Sequence, residues 1–173
     1  MDRVTPLPRT EARIRLGLDP EGSYALFPAD PARPEKRHDR AVVLLKEFPE
    51  VELLTLGGVP PDEVGTYYSA ADVVLVPSEY EGFGLATLEA LACDVPVIAT
   101  PTGIAPEALD SVEGTYCLPF DLGVWREKLA RVLDDPDPRI DGVGRAVQYT
   151  TDVMACRTAE MYDDLIGDLD NGF

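Results

Sequence analysis

Basic residues are scarce in this chain. Only 15 Lys and Arg stand against 32 Asp and Glu, a net charge of −17 over 173 residues. Such a surface repels phosphate backbones, which excludes unaided nucleic-acid binding. An anionic ligand would need a local cluster of donors to overcome the overall field. Histidine is rarer still, with His38 alone. Beside a basic stretch, a single imidazole reads as a surface residue. Without a nucleophile elbow, a Ser/His/Asp reading would depend on it entirely. The three cysteines, Cys93, Cys117 and Cys156, are odd in number and widely spaced. They argue for reduced thiols in a cytoplasmic protein and against a disulfide frame or zinc site. No apolar run approaches the roughly 18 residues of a membrane span. The opening MDRVTPLPRT lacks the apolar centre of a signal peptide. No repeat or low-complexity segment is present.

What the chain does have is a hydrophobic fraction of 45%, enough for one core of ordinary size. Residues 1–10, with two prolines and no periodicity, read as a linker or tail. TEARIRLGL predicts a short helix capped by Thr10 and closed near Gly17. SYALFPA predicts a strand, and EKRHDRAVVLLKEF a helix with Ala41, Leu44, Leu45 and Phe48 on one side. VELLTLGG, DVVLVP, PVIAT and TYCLPF predict four further strands. PDEVGTYYSAA, GLATLEALAC and DLGVWREKLARVLDD predict helices, the last stopped by Pro136 and Pro138. A final helix is expected over residues 147–168, followed by a tail over 169–173. Strands that are continuous apolar runs, alternating with helices, mean a doubly wound parallel α/β sheet with both faces covered. Ligands of such sheets bind beyond the carboxyl ends of the strands.

One junction of that kind stands out. ADVVLV ends and PSEYEGFGLATLEALACDVPVIAT follows, with Glu81 and Glu89 flanking a turn that holds Gly82 and Gly84. The glycines allow positive φ and close approach of a ligand to the backbone. The first N–H groups of the helix starting near Leu85 are free to meet an anion. Glu89 lies one turn into that helix, on the face of Leu85. The two carboxylates could bracket one ligand whose phosphate lies on the helix N-terminus, and a carboxylate accepting two adjacent hydroxyls is a natural way to hold a ribose or a hexose. On spacing alone, solvated surface acids are an equal reading. A second feature is PADPARPEKRHDR, the densest basic cluster of an acidic chain. Cations near a helix N-terminus oppose its dipole, which favours a functional purpose for them.

EGFGLATLE resembles the E-x7-E signature of retaining glycosyltransferases of the family 4 type. The surrounding YYSAADVVLVPSEYEGFGLATLEALACDVPVIATPTG is similar to that family's donor-binding segment, and PEALDSVEGTYCLPFD to its next loop and strand. The resemblance covers residues 10–168 and implies the C-terminal, donor-binding, Rossmann-like half of a GT-B enzyme. Residues 11–168 then form the nucleotide-sugar-binding domain. It implies that Glu89 holds the ribose hydroxyls. Glu81 and the backbone of Gly82, Phe83, Gly84 and Leu85 would hold the transferred sugar and the diphosphate. Lys36 falls where the family lysine neutralises that diphosphate. The family arginine usually precedes it by about five residues. Here that place reads ADP, and Arg33 is the nearest candidate, ahead of Arg37, which stands where a glycine often follows the lysine. The catalytic set expected is therefore Glu81, Lys36 and Arg33.

The resemblance implies a nucleotide sugar as substrate and no metal or other cofactor. No D-x-D metal motif stands in a loop suited to one. Two departures limit the transfer. GGVPPDEVGTYY joins directly what the family separates by a helix and strand that shape the base pocket. No acceptor domain precedes the chain, so the expectation is an excised C-terminal half, inactive without its N-terminal partner. The full-length protein would be cytoplasmic or peripheral at the inner membrane face. The last helix, which in the family braces the missing domain, would leave Met154, Met161, Tyr162 and Leu165 partly stranded. A non-catalytic nucleotide-binding or partner-docking module is one rival. A sugar-nucleotide epimerase on the same scaffold is another, disfavoured by the single histidine.

Overall fold

Val73, Val74, Leu75 and Val76 are all almost fully buried, as the run VVLV requires when helices cover both faces of a strand. The computed structural model describes residues 4–170, with side chains through residue 162. Its strands are β1 (Ser23–Phe27), β2 (Val51–Thr55), β3 (Val73–Val76), β4 (Val97–Ala99) and β5 (Tyr116–Cys117). They form one parallel sheet in the order β2-β1-β3-β4-β5. The doubly wound α/β class expected from the sequence is the class observed.

The two-residue period of a strand splits the core into two layers. Tyr24, Leu26, Val74 and Val76 face one side, with Tyr68, Leu88 and Leu91 packed on them. Ala25, Phe27, Val73 and Leu75 face the other, against Ala41, Leu44, Trp125 and Leu129. The helices that supply these residues are α2 (His38–Leu45), α3 (Val64–Ala70), α4 (Leu85–Ala92) and α6 (Leu122–Leu133). In α6, Trp125, Leu129 and Val132 recur at helical spacing and are buried, while Asp121 caps the start by accepting from Val124 N at 3.0 Å. Parallel strands need such crossovers, so sheet and helices stand or fall together.

Several boundaries differ from expectation. The helix α1 (Arg9–Arg15) begins one residue before Thr10, with Pro8 at its cap position. The segment expected as a linker is anchored to the domain: Leu7 N donates to Ser69 Oγ at 3.0 Å, and Arg9 to Asp72 Oδ1 at 2.8 Å. Residues 34–36 form a single 3-10 turn, and α2 starts only at His38. A short α5 (Ala105–Ala108) was not foreseen. The final helix is two, α7 (Val143–Val147) and α8 (Thr151–Asp170), broken at residues 148–150. On α8, Met154, Met161 and Tyr162 are exposed. Leu165 lies beyond the described side chains, and the outermost residues of both expected tails, 1–3 and 171–173, lie outside the described residues.

Candidate functional site

The order β2-β1-β3 makes a topological switch. After β1 the chain crosses by α2 on one face, and after β3 it enters α4 on the other. The two connections diverge and leave a crevice at the carboxyl ends of β1 and β3, the usual ligand position in open α/β sheets. Lys36 enters this crevice from the β1 loop and Glu81 from the β3 loop. They are 45 positions apart in sequence, yet Lys36 Nζ donates to Glu81 Oε2 at 2.5 Å. Their side chains are only 14% and 7% exposed.

The pair is built from behind. Ser78 Oγ donates to Glu81 Oε1 at 2.7 Å, so both carboxylate oxygens are engaged. Ser78 is itself buried, and its carbonyl accepts from Thr100 Oγ1 at 2.5 Å. Glu79 N donates to the Glu35 carbonyl at 2.9 Å, tying the two loops together. Lys36 keeps two of its three ammonium protons for another acceptor. The void between Lys36, Ser78, Glu81 and the end of β1 is about 10 Å³, so the ion pair fills the crevice. A larger hollow of about 710 Å³ lies away from the strands' carboxyl ends, between Asp110–Gly114 and Arg139–Gln148. Its arginines are committed: Arg139 to the carbonyls of Ala71 and Ser69, Arg145 to those of Ala108 and Glu107. The Lys36–Glu81 crevice, at the carboxyl ends of the strands, is therefore the candidate site.

Gly84 stands at the start of α4 with φ 96°, a left-handed conformation that favours glycine. No side chain caps this helix, which leaves N–H groups of its first turn facing outward. Gly82 does not share the conformation. It lies in open space without a positive φ, which corrects the conformational part of the sequence argument for it. Phe83 and Leu85 are exposed at the mouth, as is Tyr80. Glu89, one turn into α4, accepts from Tyr68 OH at 2.8 Å through Oε2. Burial, and then the nearby Glu89, push the Tyr68 hydroxyl well above its ordinary pKa.

The remaining basic candidates do not converge there. Arg33 is more than half exposed and pairs with Glu35 at 2.6 Å, not with Glu81. A hydrogen bond from its own backbone amide, and then one from Arg33, hold the Glu35 carboxyl below its usual range. Arg37 pairs with Asp39 at 2.7 Å and also with Glu79. Asp39, ahead of Glu79, holds its guanidinium above the ordinary value. Arg37 also has φ 56°, which explains physically why glycine suits this position. His38 packs its ring edge on Phe27, with centroids 5.0 Å apart.

Three supporting residues escaped the sequence reading: Ser78, Tyr68 and Gly103. Gly103 has φ 55°, and a Cβ there would lie 2.5 Å from the Phe83 carbonyl oxygen and 2.9 Å from Glu81 Cβ. Next to it, Ile104 N donates to that same carbonyl at 2.7 Å. The loop after β4 is thus the back wall of the Glu81–Gly84 turn. A glycine just before the proline of a short helix was the available signal.

Known proteins share this sequence family and this fold. The family model for glycosyl transferases group 1 matches residues 32–144, more than half of the chain. A D-inositol 3-phosphate glycosyltransferase from Thermobispora bispora is 29% identical over 204 residues, covering 93% of this chain and 47% of that protein. The fold is similar to the C-terminal domain of a glycosyl transferase group 1 family protein from Francisella tularensis, with TM-score 0.67 and 22% identity over 86% of this chain and 96% of that one. It is also similar to an Anabaena protein solved in complex with UDP and glucose, with TM-score 0.70 and 18% identity over 92% of this chain and 53% of that one. The chain spans about half the length of the curated relatives it matches. The chain belongs to the glycosyl transferases of group 1.

Proposed function

We propose that this chain is the donor-binding half of a retaining glycosyltransferase that uses a nucleotide-activated sugar. The observation that carries the reading is the Lys36–Glu81 pair, seated at the switch point beside the uncapped start of α4. Glu89 would hold the ribose hydroxyls. The N–H groups around Gly84 and the free protons of Lys36 would hold the diphosphate, and Glu81 the sugar. As the bond between the sugar and the diphosphate breaks, its electron pair passes to the leaving oxygen. A fixed cation there stabilises the developing charge. Lys36 supplies that charge, so the reading requires no metal. The similarity to a C-terminal domain and to full-length proteins of about twice the span supports an acceptor domain facing this crevice.

Titration calorimetry with UDP, GDP, ADP and TDP tests the reading. Half a site should bind one of them at about millimolar to tens of micromolar, roughly −4 to −6 kcal/mol. The 173-residue chain should transfer no sugar, because orientation of the acceptor needs the opposite wall. Absence of binding to all four at millimolar concentration would remove the proposal. One observation favours a second reading, a nucleotide-binding module that never turns over: Arg33 is spent on Glu35, leaving Lys36 as the single cation on Glu81 among the described residues. Binding without donor hydrolysis, even beside the acceptor domain, would favour it.

A further inference from the structure

Glu89 is an unusual residue for its place. Its neighbours on α4, Leu88, Ala90 and Leu91, are 1% exposed or less. A half-buried carboxylate in such company needs donors. Among the described residues no Lys or Arg reaches it, and the one hydrogen bond it accepts comes from Tyr68, through Oε2. Oε1 accepts none. Tyr68 lies on α3 with no exposure at all, its ring locked in the core between sheet and helix. Core packing therefore holds the phenol rigidly, and the phenol in turn holds a side chain with three soft torsions. Burial, and then Glu89, raise its pKa and so favour the protonated, donating hydroxyl.

We infer that Tyr68 is the positioning residue of the nucleoside subsite: by occupying Glu89 Oε2 it fixes the carboxylate so that Oε1 is presented to the vicinal hydroxyls of a ribose. The inference rests on the proposed reading of Glu89. It concerns preorganisation, because an unpinned carboxylate must lose rotamer freedom on binding. It also accounts for a buried tyrosine whose acceptor is a carboxylate at the site and not a backbone carbonyl.

The test compares UDP, GDP and ADP with their 2′,3′-dideoxy counterparts and with inorganic pyrophosphate, by calorimetry on the whole chain. The wild type should prefer the ribose form by about tenfold or more, from hydrogen bonds to a charged acceptor. Tyr68→Phe keeps the ring and should lower that preference by about fivefold, with pyrophosphate affinity within about twofold. Glu89→Asp draws the carboxylate back from Tyr68 without touching the core ring, and should lower the preference likewise. Glu89→Ala should abolish the preference, and adding Tyr68→Phe to it should change nothing further. A wild-type preference in Glu89→Ala removes the ribose reading and this inference with it. A collapse in Glu89→Ala with a wild-type preference in Tyr68→Phe or in Glu89→Asp overturns the role of Tyr68 alone. An equal loss of pyrophosphate binding in Tyr68→Phe marks a merely structural tyrosine and also overturns it.

Discussion

Replacing Lys36 by alanine removes the cation of the crevice, and its effects divide cleanly between binding and stability. A charge-assisted hydrogen bond to a diphosphate is worth about 1.5–3 kcal/mol, roughly ten- to 150-fold in affinity. In the free protein, however, Lys36 already donates to Glu81 at 2.5 Å, so the ligand gains only a share of the lysine. The expected loss is therefore about tenfold for a nucleoside diphosphate, the lower end of that range. The corresponding nucleoside, which brings no phosphate, should lose less than about twofold. Stability falls as well. Removing one partner of a buried pair costs about 3–5 kcal/mol. Here the lysine is 14% exposed, and Ser78 still donates to the stranded carboxylate, so about 2 kcal/mol is expected. Lys36→Ala with Glu81→Ala should recover part of it. Urea melts of the two single variants and the double variant measure the coupling, and calorimetry measures the affinities. Equal weakening of nucleoside and nucleoside diphosphate by Lys36→Ala, in a protein that still melts cooperatively, would refute the diphosphate role.

Three further outcomes follow from the same geometry. Glu89→Ala should weaken nucleoside and nucleoside diphosphate alike, whereas Glu81→Ala should spare the bare diphosphate and affect only an intact nucleotide sugar; calorimetry with both ligand classes separates them. Gly103→Ala must bear a left-handed backbone and a Cβ 2.5 Å from the Phe83 carbonyl, so it should lose about 2–3 kcal/mol and most diphosphate binding. Gly58→Ala, with φ 77° but open space around it, should lose only about 1 kcal/mol and no binding, as chemical denaturation of the two would show. Burial pushes the Cys93 thiol from 9.0 up to about 11, so the fold favours the neutral thiol. That stability is full below pH 9 and lost progressively up to pH 11, by about 2–3 kcal/mol, a slope that Cys93→Ala should remove from alkaline melts.

Periodicity made the sheet and its helices legible because burial on two faces leaves no other pattern. VVLV in β3 and the Trp125–Leu129–Val132 spacing in α6 could hardly be read otherwise. Boundaries were less legible where local chemistry competes. Glu35 and Lys36 have helical neighbours in sequence, yet Arg37 takes a left-handed φ of 56° and delays α2 to His38. That delay matters to the site, since it turns Lys36 out of the helix and toward Glu81. The resemblance singled out Lys36, Glu81, Gly84 and Glu89, and the structure brings Lys36 onto Glu81 beside the turn at Gly84. Arg33 does not join them: proximity in sequence to Lys36 says nothing about which carboxylate captures a guanidinium, and Arg33 pairs with Glu35.

The residues that sequence missed share one property: each acts through another residue. Ser78 is three positions from Glu81, Tyr68 is 21 from Glu89, and Gly103 meets the Phe83 carbonyl from a different strand's loop. A ligand-touching residue announces itself by its type, an acid or a lysine at a strand's end. A supporting residue is a serine, a core aromatic or a glycine, types that occur in any fold for ordinary reasons. Only the three-dimensional pairing separates Tyr68, whose hydroxyl ends on Glu89, from a tyrosine that merely fills volume. Glu81 and Glu89 each have one carboxylate oxygen held by a buried residue's hydroxyl, that of Ser78 and that of Tyr68. Glu81 gives its other oxygen to Lys36, and Glu89 leaves its other oxygen open. That asymmetry matches a ligand that brings its negative charge to Lys36, beside the first carboxylate, and its ribose hydroxyls to the second.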